Sequence, residues 1–111
     1  MGEKKGKTKK KNYEVIAKQY PDVIEAVEAL GAIVRGAGPL DKKTSHLVQL
    51  AAAAASGSEG AVHSHTRRAK KAGASDEEIS HALILLISTI GFPKAMAALS
   101  WSRDILGNEE K

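Results

Sequence analysis

Apolar side chains recur at three- and four-residue spacing along most of this chain, and glycine or proline closes every such run. Val23, Val27, Leu30 and Val34 form one stripe, widened by Ile24 and Ile33. Pro21 suits the first turn of that helix and Asp22 favours the same end, while Gly36-Ala37-Gly38-Pro39 stops it. A short helical lead-in over Tyr13–Tyr20 precedes it. Asp41 is placed to cap the next helix, which carries Leu47, Val48, Leu50 and the run Ala51–Ala55 before Ser56-Gly57. A further helix starts near Ser58-Glu59 and runs to Ala72, with Gly73 suited to its end. Ser75-Asp76-Glu77-Glu78 reads as a capping box. Behind it, Ile79, Ala82, Leu83, Leu86, Ile87 and Ile90 share a face, and Ile84 and Leu85 add to it, so burial on most sides is expected. Gly91-Phe92-Pro93 breaks the chain, and the last helix is expected from about Pro93 to Leu106, ending at Gly107. Strand-like alternation and internal repeats are missing. The fold class predicted is all-α, with about six helices.

Hydrophobic residues make up 42% of the chain but aromatics only 4%. The core must therefore be alanine and aliphatics. Small side chains let helices approach closely but bury little area each, and a chain of this size gains the missing burial by self-association. There is no cysteine, which excludes disulfides, cysteine zinc sites and iron–sulfur clusters. No stretch is apolar enough to span a bilayer. The basic N-terminus has no apolar core of a signal sequence, so a cytoplasmic address is expected.

The net charge of +4 suggests nucleic acid until its distribution is read. Residues 1–11 hold six lysines against Glu3, whereas the rest holds 11 basic and 12 acidic residues. Residues 1–11 are expected to be a disordered basic tail, with 12–111 as the helical domain. A short pattern over residues 69–83, AKKAGASDEEISHAL, mimics a helix-turn-helix. Its would-be recognition helix opens on Asp76, Glu77 and Glu78, which would meet phosphates with negative charge. DNA binding is the weakest reading.

The segment richest in chemistry is residues 56–75, SGSEGAVHSHTRRAKKAGAS. Ser58, Ala61 and His65 share one helical face, and His63 lies about 200° from His65 on a wheel of 100° per residue. The two histidines cannot chelate one ion from a regular helix, so no metal is expected. A histidine towards a helix N-terminus is favoured in its neutral form, which suits His65 to general-base or proton-relay work. Its bland role is a hydrogen bond across a helix interface. Glu59 reads as a first-turn dipole residue, and His81, on a largely apolar helix, as a core or interface histidine.

In order, the parts are an LD-capped helix, the alanine run, an H-T-R-x-A helix, the G-A-S-x-E-E-I cap and the G-F-P break. Over about residues 21–106 they resemble the carboxymuconolactone decarboxylase / AhpD-like family. The resemblance implies an AhpD-like helical domain assembled as a homo-oligomer, a trimer or hexamer. The family's helix bears C-x-x-C-x-x-x-H; here Ser58 and Ala61 stand at the cysteine positions and His65 keeps the histidine. His46 stands where the peroxidase branch has a relay glutamate. Serine and alanine cannot run a thiol redox cycle, so peroxidase activity is expected to be lost. The decarboxylase branch implies cofactor-free loss of CO₂ from a small carboxylated lactone. His65, His46 and Ser58 would form its polar site, and Arg67 or Arg68 would hold a carboxylate, since at most one of the pair can face a pocket. The alternative is a non-catalytic, AhpD-like oligomeric binding protein.

Overall fold

The computed structural model describes residues 12–109, with side chains over 12–106. Residues 1–11, read above as a basic tail, lie outside that range. All regular structure among the described residues is helical. The chain divides into two compact units between Leu40 and Asp41.

In the first unit, residues 12–19 form α1 and Pro21–Arg35 form α2. Pro21 starts α2, whose first turn would leave amide groups unpaired in any case. The Tyr13 hydroxyl donates to the Glu28 carboxylate, which ties α1 to α2. The stripe expected on α2 is present, yet α2 has no buried residue: Val23, Val27, Leu30, Ile33 and Val34 are all more than half exposed.

The second unit contains α3 (Lys42–Ser56), α4 (Glu59–Lys71), α5 (Asp76–Ile84), α6 (Ile87–Ile90) and α7 (Phe92–Glu109). Capping residues fix where each of the first three begins. The Asp41 carboxylate accepts from the Thr44 N–H at 2.7 Å, and the Ser58 hydroxyl accepts from the Ala61 N–H at 3.2 Å. Ser75 and Glu78 exchange the reciprocal bonds of a full capping box. Gly57, at φ 73° and ψ 24°, ends α3 in the left-handed conformation, and its N–H bonds back to the Ala54 carbonyl at 3.1 Å. Glycine occupies that region without steric cost.

Leu50, Val62, Ile79 and Leu83 are fully buried, one or two from each of α3, α4 and α5. Ala53, Ala54, Ala69, Ala74, Ala98 and Leu106 complete the core, with Trp101 packed at its edge. The alanines sit where helices meet, so backbones approach without a bulky side chain between them.

Three expectations change. The helix opened by Ser75 does not reach Ile90: a turn at Leu85–Leu86 separates α5 from α6, and Ile84 and Leu85 are exposed instead of buried. One face of α5, through Ile79 and Leu83, is enough to fill the core. His81 is exposed and not part of the core. The last helix passes through Gly107 to Glu109, because an internal glycine weakens a helix by roughly 1 kcal/mol without ending it.

The core makes a direct prediction. Leu83→Ala should cost about 2–5 kcal/mol in urea unfolding, as a buried large-to-small change does, and Ser75→Ala about 1 kcal/mol through the lost cap.

The caps set the acid response. The Thr44 amide, then its hydroxyl, then Lys43 hold the Asp41 carboxyl below its ordinary value. The Ser75 amide, then Lys43 at 3.0 Å, do the same for Glu78. Both groups titrate lower when folded than when unfolded. Their stabilisation is therefore complete above the ordinary carboxylate range and is lost as pH falls through the folded values. An Asp41→Asn/Glu78→Gln variant should show a flatter loss of melting temperature below that range than the wild type.

Candidate functional site

Helix α4 presents chemistry on two faces. Ser58 caps it, Gly57 sets its direction from α3, and Val62 and Ala69 seat it on the core. His65 projects from its middle towards α3, where His46 is almost fully buried at 3% exposure. The two ring centroids lie 6.2 Å apart with an interplanar angle of 42°. That separation makes the rings neighbours without stacking. His65 itself is half-buried. One sheltered and one more open imidazole side by side offer ring nitrogens that can relay a proton.

The other predicted residues are placed less centrally. The Ser58 hydroxyl serves as the α4 cap, and its side chain lies on the exposed start of the helix. Arg67 is exposed, while Arg68 is half-buried and follows His65 by three residues, so it shares that face.

The opposite face was not anticipated. His63 is buried at 3% exposure, and its Nε2 lies 2.9 Å from the Asp104 carboxylate on α7. Glu59, one turn before His63 on α4, brings a second carboxylate, and one ligand atom from each of the three residues lies within 4.8 Å of the others. One turn further along α4, the Thr66 hydroxyl pairs with the Ser102 hydroxyl of α7 at 3.0 Å, both buried. This bond fixes the register of α7 on α4. The Glu59/His63 spacing of four residues was legible as a shared helix face. Asp104 was not, because no local pattern links it to a helix 41 residues earlier.

An open groove of about 680 Å³ runs between α5 and α7, lined by Asp76, Ser80, Met96, Leu99, Arg103 and Asp104 among others. Asp104 thus touches both the groove and His63.

Comparison with known proteins gives a consistent picture. The model of the family described as "Carboxymuconolactone decarboxylase family" matches residues 21–104. An uncharacterised protein of Methanocaldococcus jannaschii is 32% identical over 86% of this chain and 90% of its own length. An uncharacterised protein of Haemophilus influenzae is 39% identical over 54% of this chain and 53% of its own length. Among solved structures, that of a carboxymuconolactone decarboxylase family protein from Legionella pneumophila superposes with a TM-score of 0.76 at 25% identity, covering 91% of this chain and 90% of that one.

The Thr66–Ser102 bond can be weighed directly. Thr66→Val keeps the shape but leaves a buried hydroxyl on Ser102, which should cost about 1–3 kcal/mol. Adding Ser102→Ala should recover part of that loss, because both partners are then apolar; chemical denaturation of the single and double variants measures it.

Proposed function

We propose that this chain, which belongs to the carboxymuconolactone decarboxylase family, releases CO₂ from a small carboxylated lactone without a cofactor, with His65 handling the proton. The observation that carries this reading is the pairing of His65 with the buried His46 across α3 and α4. With no cysteine in the chain, the thiol chemistry of the AhpD-like branch is closed to it.

In this reading the bond from the lactone carbon to its carboxylate breaks and CO₂ leaves. The electron pair passes into the unsaturated lactone. The imidazole then passes one proton to carbon and takes one from solvent, so that the ring is neutral before and after. His65 is the group for that transfer, because it is the more open of the two rings. His46 lies beside it and shelters one side. Arg68 is the better placed of the two arginines to hold a second carboxylate, since Arg67 points into solvent. Ser58 lends its hydroxyl to the α4 cap and contributes to the site through the helix it starts.

The cap role of Ser58 favours a second reading. With one cysteine position used as a helix cap and the other an alanine, the site can hold a carboxylated ligand without turning it over. Both readings include self-association, supported by the exposed apolar face of α2.

Two measurements test this. Wild-type protein with γ-carboxymuconolactone and related carboxylated lactones should release CO₂, His65→Ala should lower kcat at least about 100-fold, and Arg68→Ala should act mainly on KM. Binding of these lactones with no CO₂ release would favour the binding protein. Light scattering should give the mass of a trimer or hexamer, and a monomer at tens of micromolar would contradict the assembly.

A further inference from the structure

We propose that Glu59, His63 and Asp104 form a binding site for a divalent first-row cation on the face of α4 opposite His65. The reading is independent of the decarboxylase proposal. Three observations carry it.

The first is convergence. One imidazole nitrogen and two carboxylate oxygens, from α4 and α7, lie within 4.8 Å of one another. A first-row cation holds such ligands at about 2.0–2.2 Å, which sets them roughly 3–4 Å apart. His63 and Asp104 already stand 2.9 Å apart, so reaching that spacing needs only a small movement of the Glu59 carboxylate, whose residue is partly exposed.

The second is preorganisation. His63 is buried, and Asp104 already holds its ring at 2.9 Å. Glu59 and His63 are four residues apart on a regular helix, so their side chains share one face. The buried Thr66–Ser102 bond locks α7 against α4 beside the cluster. Two of the three ligand residues are therefore fixed before an ion arrives, which lowers the ordering cost of binding.

The third is access. Asp104 lines the open groove between α5 and α7, and an ion has a path to it from solvent. One nitrogen with two oxygens suits zinc, cobalt, manganese or ferrous iron better than calcium or magnesium. His63 and His65 still share no ion: this site uses His63 alone and draws its other ligands from carboxylates.

The experiment uses the full chain, untagged and treated with chelator, titrated with zinc chloride in a calorimeter and with cobalt chloride by visible absorption. One ion per chain is expected, with cobalt bands that zinc displaces. Because His63 is buried and its replacement risks unfolding, the tests are Glu59→Gln and Asp104→Asn, with folding checked by circular dichroism. Each should weaken zinc at least tenfold, while His81→Ala, at an exposed position of α5, should leave affinity unchanged. The proposal is overturned if the folded wild type takes up no zinc or cobalt, or if either isostere binds zinc as tightly as the wild type.

Discussion

The close packing of α3 on α4 is the constraint from which the rest of the second unit follows. Gly57 turns the chain in a left-handed conformation and Ser58 starts the next helix at once, so there is no slack between them. Leu50, Ala53 and Ala54 of α3 and Val62 and Ala69 of α4 belong to one buried cluster. Alanine at these points is a positive choice. It lets the two backbones come near enough for His46 and His65 to become neighbours, where larger side chains would hold them apart.

With α4 seated in this way, its remaining faces are assigned. One looks to α3 and carries His65. The other meets α7 and carries Glu59, His63 and Thr66. Odd-numbered histidines two residues apart on a helix are thrown to different sides, and the fold supplies each with a different environment: an imidazole for His65 and a carboxylate for His63. A single helix of 13 residues thereby serves two chemically distinct places.

Much of this was legible in the sequence, and the reason is local chemistry. Asp41 and Ser75 each stand three residues before an amide they cap, and both caps are found; Ser58, read as a site residue, caps α4 in the same way. His63 and His65 part to different sides for the same reason, since their directions depend on one helix alone. What escaped depends on the third dimension. Leu83–Ile87 reads as a continuous apolar helix, but the core has room for only one of its faces, so Ile84 and Leu85 stay outside and the helix turns at Leu85–Leu86. Asp104 lies in a helix with little polarity contrast between its faces, and nothing near it in the chain announces a histidine 41 residues away. Likewise the different exposure of Arg67 and Arg68 emerges only when α4 is seated.

The two-faced role of α4 is the central claim, and the imidazole NMR spectrum of the protein tests it most directly. Each histidine is followed through its ring nitrogen and proton signals in wild type and in His65→Ala. If the faces are separate, the substitution shifts the His46 ring signals and leaves those of His63, held by Asp104, in place. A shift of His63 as large as that of His46 would contradict the account, since it would mean that the two sites are one.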